Sequence, residues 1–334
     1  MNKYNFSIAY ILTTIYKALL LRDRYMKAYL QLYDLINSLV NYKYKFQPII
    51  DIKDIISAFE NNENTEDYEF PEHLIPNSIF NAIMNDDITA LIHIIDQDDS
   101  VLKNSIKKRL FNIDFELDLL DACSYYGSEK CYLYLQENNK FKPSNVSIAF
   151  SFLGGNPRII KESLPLINDS NLKLCFESII ASHNIDFLMY LDNNFDLANM
   201  KHMNYIQNYS NLEALFLFTN NGKIDEFDNS LLQFNVDDLI LYFIKKFGES
   251  TIYQFNILEA IKHRMLKTVK YAIDCGINCK EWNDYHKSIL HFAAEYDMKE
   301  IVQLLISKGD INLSRNVADI YLLSGDATLS SVTL

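Results

Sequence analysis

The feature that most constrains the fold is an internal repeat near the end of the sequence. Four pairs of residues recur at an interval of 33 residues: Ala260 and Ala293, Val269 and Val302, Ile273 and Ile306, and Gly276 and Gly309. An interval of this length is typical of repeat proteins in which each unit is one pair of helices. One pair cannot bury its apolar face alone, so neighbouring units stack. The repeat therefore predicts an all-α solenoid of stacked helix pairs.

Earlier units are aligned by the position at which the second helix of each pair begins. These positions are Asp86, Gly127, Gly155, His183, Ser210, Asn235 and Arg264. Their spacings range from 25 to 41 residues, and the three from Gly127 to His183 lie 28 apart. Twenty-eight residues are enough for two helices and short turns. We therefore expect no longer excursion of the chain between the middle pairs.

The last unit, SILHFAAEYDMKEIVQLLISKGDIN at 288–312, resembles the ankyrin repeat TPLHxAAxxGxxxIVxLLxxGAxxN. The matching positions are Ser288, Leu290 and His291 in the TPLH corner, Ala293 and Ala294, Ile301, Val302, Leu304 and Leu305, and Gly309. Ile289 stands for the usual Pro and Asp297 for the usual Gly between the helices. The resemblance implies a hairpin finger between units. EWNDYHK at 281–287 supplies one before the last unit, whereas the middle spacings favour finger-poor repeats.

The first seventy residues form a different block. Tyr25, Tyr29, Leu32, Ile36 and Leu39 recur at alternating spacings of four and three, which predicts an amphipathic helix. The acidic stretch at 60–78 contains two prolines and is the best candidate for a linker.

The phrases RDRYMKAYLQLYDLI and DACSYYGSEKCYLYL resemble a large protist family in which a domain of unknown function runs directly into ankyrin repeats. We therefore predict a helical N-terminal domain at 1–70, a degenerate ankyrin-repeat solenoid at 71–312, and a C-terminal tail or partial cap at 313–334.

Charge and cysteine content restrict the partners and the compartment. The net charge is −13, yet residues 1–50 carry +5, which leaves −18 for the rest. Such a surface repels nucleic acid, so we expect none as a partner. The five cysteines are odd in number and lie in apolar patterns, typical of reduced core thiols in the cytoplasm or nucleus. The apolar run near the N-terminus is interrupted by Thr13, Thr14 and Lys17, so we expect no transmembrane segment.

No arrangement of residues indicates catalysis. The sequence contains no phosphate-binding loop, dinucleotide fingerprint, HExxH phrase or nucleophile elbow. His286 and His291 fall where the repeat already explains them, in the finger and in the TPLH corner. We therefore predict a protein that is not an enzyme and has no catalytic residue, metal site or cofactor.

The ankyrin resemblance implies a protein partner, bound in the concave groove formed by the finger tips and the ends of the first helices. Tyrosine is prominent at those helix ends, and tyrosine is enriched at the energetic centres of interfaces. The predicted partner-binding residues are Tyr125, Tyr126, Tyr209, Lys262, His263, Asp284, Tyr285, Lys287, Glu295 and Tyr296.

Two alternatives to a simple scaffold stay open. In the first, the protein is an adaptor whose N-terminal helices recruit a larger complex, such as a ubiquitin-ligase or membrane-associated complex, while the repeats select the client. In the second, it is a truncated or degraded family member without a partner, since the residues after Asn312 do not continue the repeat.

Overall fold

The computed structural model describes residues 8–39, 75–110, 113–197, 200, 202–277 and 288–308. The α-helices are α1 Ile8–Leu21, α2 Met26–Leu39, α3 Ile79–Met84, α4 Ile88–Gln97, α5 Leu119–Tyr126, α6 Glu129–Asn139, α7 Asn145–Gly154, α8 Pro157–Ser163, α9 Leu172–Ser182, α10 Ile185–Asn194, α11 His202–Tyr209, α12 Leu212–Asn220, α13 Asp237–Phe247, α14 Ile257–Lys262, α15 Leu266–Asp274, α16 Ile289–Glu295 and α17 Lys299–Ser307. Strands β1 Ile106–Leu110 and β2 Ile113–Leu117 form an antiparallel hairpin. The predicted all-α class is confirmed.

The register of the repeats is defined by the backbone between the two helices of each pair. All seven positions aligned from the sequence, and Asp297 in the last unit, have left-handed backbone with φ between 51° and 70°. This conformation reverses the chain so that the second helix packs against the first. Only Gly127 and Gly155 are glycines among these eight residues. The predicted register is confirmed, and the other six units tolerate a side chain in a conformation that favours glycine.

Arg264→Gly is expected to raise the free energy of unfolding by about 0.5 to 1 kcal/mol, because glycine adopts φ near 55° without the steric cost that arginine has there. The ion pair with Asp297 that is lost is exposed and contributes little. Lys270→Gly removes the same charge from the middle of α15 and should lower stability by about 1 kcal/mol. Urea unfolding of both variants measures the difference, and a destabilised Arg264→Gly protein would contradict the prediction.

The chain forms two compact units, of which the first spans Leu12–Leu217. In this unit the first helices of successive pairs pack in a row: α3 on α5, α5 on α7, α7 on α9 and α9 on α11. Small residues permit the close approach, as where the hydroxyl groups of Ser124 and Ser147 lie 2.7 Å apart. Phe80, Phe150 and Phe176 are fully buried. All eight residues of α5 are buried, so this helix lies at the centre of the core.

Polar side chains bind successive pairs together at an equivalent position. Ser128, one residue after the left-handed Gly127, donates a hydrogen bond to the Ile83 carbonyl of the preceding pair at 2.5 Å. Asn211, one residue after the left-handed Ser210, donates to the Ile180 carbonyl at 2.8 Å. Both acceptors lie three residues before the left-handed residue of their own pair. Each bond therefore adds a second donor to a carbonyl near the end of a first helix, which also accepts the backbone amide of the left-handed residue of its own pair.

The second unit contains residues 8–11 and the described residues from Phe218 onward. Its second helices α13, α15 and α17 pack in sequence, and its first helices α14 and α16 pack on each other. Asp237, at the start of α13, accepts hydrogen bonds from the backbone amides of Lys267 and Thr268 in α15. In the last unit the Ser288 amide donates to Nδ1 of His291 at 3.2 Å. The predicted structural role of the TPLH corner is confirmed.

The hairpin of β1 and β2 is a finger that the sequence did not predict, and it lies before the 28-residue intervals that were expected to be finger-poor. It pairs Ile106 with Leu117 and Leu110 with Ile113, and it leads directly into α5. The interval from Asp86 to Gly127 is 41 residues, the longest between aligned positions, and this interval was the available signal. The predicted finger at 281–287 lies outside the described residues.

The described residues include only part of the predicted domain boundaries. The linker at 60–78 falls mostly outside the described residues, and the tail at 313–334 falls wholly outside them. Within the described part, the N-terminal helices from Leu12 onward belong to the same compact unit as the repeats up to Leu217. The limits of the predicted N-terminal domain stay a prediction. None of the described helices is both long and apolar enough to cross a membrane.

Candidate partner-binding site

The ends of two first helices in the second unit carry four of the predicted site residues. Lys262 ends α14 and His263 follows it; Glu295 ends α16 and Tyr296 follows it. Both pairs directly precede a left-handed residue, so they occupy equivalent positions in consecutive repeats. Lys262 and Glu295 are exposed, whereas His263 and Tyr296 are partly buried. We call these four residues the C-terminal strip.

Charges of both signs lie at the C-terminal strip. Glu259, one turn earlier on α14, accepts a hydrogen bond from Nζ of Lys262 at 2.9 Å and lies 3.4 Å from Nε2 of His263. The hydrogen bond and charge of Glu259 raise the pKa of Lys262, so that lysine stays charged at physiological pH. Nearby, Arg264 lies 3.6 Å from the Asp297 carboxylate. Exposed pairs of this kind contribute little to stability, so their members can re-pair with a partner at small cost.

Three predicted residues of the finger, Asp284, Tyr285 and Lys287, lie outside the described residues. Their place beside the C-terminal strip stays a prediction.

The three tyrosines predicted for the groove of the first unit are not exposed, which corrects that part of the prediction. Tyr125 and Tyr126 are each 4% exposed and Tyr209 is 8% exposed. The Tyr125 hydroxyl donates to the Leu21 carbonyl at 3.0 Å, and the Tyr209 hydroxyl donates to the Glu177 carboxylate at 2.8 Å. Burial raises the pKa of all three phenols. These side chains anchor the unit internally.

The N-terminal segment covers the corresponding helix ends of the first unit. Residues 21–25 line a cleft of about 120 Å³ together with Tyr125, Tyr126, Leu153, Gly154 and Gly155. Sequence reasoning missed this contact. The available signal was the charge of +5 in residues 1–50 against −18 in the rest.

Three basic side chains of this segment bind helix ends. Nη1 of Arg24 donates to the Tyr126 carbonyl at 2.9 Å, and Nη2 of Arg22 donates to the Ser182 carbonyl at 3.0 Å. Nζ of Lys17 lies 3.0 Å from both the Gln207 carbonyl and the Ser210 hydroxyl. The ends of α5, α9 and α11 therefore each receive one cation. We call these three helix ends the middle strip.

A buried ion pair lies beside the same contact. The Asp23 carboxylate pairs with the Lys108 ammonium from β1, and both side chains are largely buried. Burial lowers the pKa of Lys108 to about 7, whereas the pairing with Asp23 favours its charged form. The ammonium also lies 5.4 Å and 5.8 Å from the ring centroids of Tyr125 and Tyr126. The hairpin thus contributes a cation that requires the carboxylate of the N-terminal segment.

The remaining buried titratable groups have structural partners or lie in the core. Burial raises the pKa of Asp121 to about 6, and its carboxylate accepts a hydrogen bond from the Ser144 hydroxyl at 2.6 Å. Cys123, Cys131 and Cys175 are buried free thiols, as predicted, and burial raises their pKa. Raised thiol pKa values disfavour the nucleophilic thiolate. In the part of the chain that is described, no three His, Cys, Asp or Glu side chains are grouped to hold a metal ion.

Comparison with known families agrees with this geometry. Residues 233–315 match the family described as ankyrin repeats (3 copies). Residues 233–315 therefore contain ankyrin repeats. Residues 138–218 match a family described as a domain of unknown function (DUF3447). That match covers the helix pairs with left-handed Gly155, His183 and Ser210, so the matched region is itself built from helix pairs. No curated protein matches the chain.

Proposed function

We propose that this protein is a non-catalytic scaffold that binds a protein partner through the concave groove of its C-terminal repeats. Ankyrin repeats support a role in protein–protein interaction. The observation that carries the proposal is the C-terminal strip, where Lys262 and Glu295 stand exposed at equivalent positions of consecutive repeats. In the first unit the predicted tyrosines at such helix ends are buried.

The chemistry of the C-terminal strip suggests the character of the partner. Lys262 and Glu295 present opposite charges, and the ring of Tyr296 is partly accessible beside them. A surface of this kind favours a partner that carries charges of both signs, since matched charges increase the association rate and exclude wrong partners. The tyrosine supplies apolar contact area at small entropic cost.

Exchanging the two charges tests the proposal. Lys262→Glu with Glu295→Lys keeps the net charge but reverses the local pattern, and it should weaken partner binding about tenfold or more. The full chain, purified with each substitution, is used to capture partners from its own cells. Each captured protein is then purified, and its affinity is measured by titration calorimetry against the unaltered chain and the variant.

In a matched control, a lysine and a glutamate on second helices are exchanged in the same way. Lys270→Glu with Glu300→Lys alters exposed residues of α15 and α17 and again keeps the net charge. This control should retain the affinity of the unaltered chain. A partner that binds the Lys262 and Glu295 variant as tightly as the control variant would rule out the C-terminal strip as its site.

The adaptor is a second candidate function, favoured by one observation on α2. Leu32 and Leu35 are 43% and 55% exposed, so this N-terminal helix presents apolar side chains to solvent. Such side chains suit the recruitment of a larger complex, for example a ubiquitin-ligase or membrane-associated complex, while the repeats select the client. In the capture experiment, Leu32→Glu with Leu35→Glu should then remove proteins that the variant of the C-terminal strip retains. If the α2 variant and the variant of the C-terminal strip lose the same set of proteins, that result would argue against the adaptor.

A further inference from the structure

We propose that the middle strip is a second binding site, specific for a helical segment that ends in a basic, acidic, basic triplet. The chain's own residues 17–24 are its resident ligand, and a partner segment of the same chemistry replaces them. This inference goes beyond the proposed function, because it concerns other residues and does not depend on the partner of the C-terminal strip.

The first argument is the placement of three cations at the ends of first helices. Arg24 binds the carbonyl of the last residue of α5, and Arg22 binds that of the last residue of α9. Lys17 binds a carbonyl in the last turn of α11. Carbonyls in the last turn of a helix lack partners within the helix, and they carry the negative end of the helix dipole. A row of such ends is a site for cations, whichever chain supplies them.

The second argument is the apolar stripe of α1. Leu12, Ile15 and Leu19 are buried, and they follow one another at intervals of three and four residues. This is the pattern of anchors by which an amphipathic helix binds in a groove. Leu21 adds a main-chain contact, since its carbonyl accepts the Tyr125 hydroxyl. The segment thus combines an apolar helix with a polar end.

The third argument is the acidic residue between the two arginines. Asp23 pairs with Lys108, whose side chain is only 12% exposed. If the segment leaves, the ammonium of Lys108 loses its carboxylate inside a mostly closed site, at a large cost. A replacing ligand must therefore supply an acid between its two basic residues. This requirement separates the proposed ligand from any merely basic peptide.

The fourth argument is the separation of the ligand from its site along the chain. The contacts of Arg24 and Arg22 join residues 102 and 160 positions apart. Both arginines bind main-chain carbonyls, so the site selects the charge and spacing of the ligand. The positive N-terminal fifty residues and the negative remainder are also complementary. Another chain with the same triplet and stripe can make the same contacts.

The test uses a fluorescein-labelled peptide of residues 10–26 and the full chain, with binding followed by fluorescence anisotropy. In the unaltered chain the resident segment competes at an effective concentration of about 1 mM, so the peptide should bind weakly. Arg22→Glu with Arg24→Glu should release that segment and tighten peptide binding about tenfold or more. A control chain with Lys130→Glu and Lys161→Glu has the same charge change at exposed sites and should bind as weakly as the unaltered chain.

Two further measurements keep the test decisive. A peptide with Asp23→Lys should bind the released variant at least about tenfold more weakly, because it brings a second cation to Lys108. Hydrogen exchange on the unaltered chain needs no variant to fold: excess peptide should accelerate exchange in α1 and leave α9 protected. If the peptide neither binds saturably nor accelerates α1, the N-terminal segment is a fixed part of the fold and the proposal is wrong.

Discussion

Gly154→Ala is expected to lower the free energy of unfolding by about 3 kcal/mol, the largest loss that we expect from adding a single methyl group. A Cβ atom at Gly154 would lie 2.1 Å from the Ser124 carbonyl oxygen and 2.9 Å from Cα of Gly127. Both are main-chain atoms that cannot rotate away. The ends of α5 and α7 would have to separate, which disrupts the packing of the most deeply buried pair of first helices.

Gly155→Ala is the matched control, because it adds the same methyl group one residue later. Gly155 has φ of 70°, and nothing lies within 4 Å of its added Cβ. Only the left-handed backbone opposes alanine there, at a cost of about 1 kcal/mol. Urea unfolding followed by circular dichroism measures both variants. Equal losses at the two glycines would show that the main-chain contact between α5 and α7 does not determine stability.

The register of the repeats could be predicted from the sequence because it depends on local chemistry. A residue of any type can take the turn position, but its flanks are constrained: an apolar first helix precedes it and an apolar second helix follows. This flanking pattern located His183 and Arg264 correctly, although neither is the glycine expected there. Local periodicity was therefore sufficient without the consensus residue at the turn itself.

The exposure of the helix-end tyrosines could not be predicted in the same way. Tyr126 and Tyr296 occupy equivalent positions, one residue before the left-handed residue of their pair, yet Tyr126 is buried and Tyr296 is partly exposed. The N-terminal segment lies over the end of this helix, where Arg24 binds the Tyr126 carbonyl from 102 positions away in the sequence. Such a contact depends on tertiary packing, which spacing along one helix does not encode. The hairpin before α5 was missed for a related reason, since only the long interval before Gly127 signalled it.

The burial of polar residues that directly follow the turn could not be predicted from the flanking pattern either. Asn184 and Asn211 have the same residue type and the same register position, one residue after His183 and Ser210. Asn184 is exposed, whereas Asn211 is 2% exposed and bonds to the preceding pair. Asparagine is favoured at the N-cap of a helix, and the residue type alone does not distinguish the two positions. The structure separates a purely local cap from one that also joins two repeats, and this difference can be measured.

Asn211→Ala is expected to lower the free energy of unfolding by about 3 kcal/mol, because the side chain satisfies two buried groups at once. Its amide nitrogen donates to the Ile180 carbonyl at 2.8 Å, and its amide oxygen accepts from the backbone amide of Ala214 at 3.0 Å. Alanine leaves the buried carbonyl with only the backbone amide of His183, at 3.3 Å, as a donor, and it removes the cap of α12. Both losses destabilise the folded state.

Asn184→Ala isolates the contribution of capping. Its amide oxygen accepts from the backbone amides of Asp186 and Phe187 at 3.1 Å and 3.3 Å, and the side chain is exposed. Water can replace these bonds, so the expected loss is about 1 kcal/mol. The difference between the two variants, about 2 kcal/mol in urea unfolding, then measures the buried bond between repeats. If both variants lose the same stability, the bond to Ile180 contributes nothing net, and apolar packing alone holds the two pairs together.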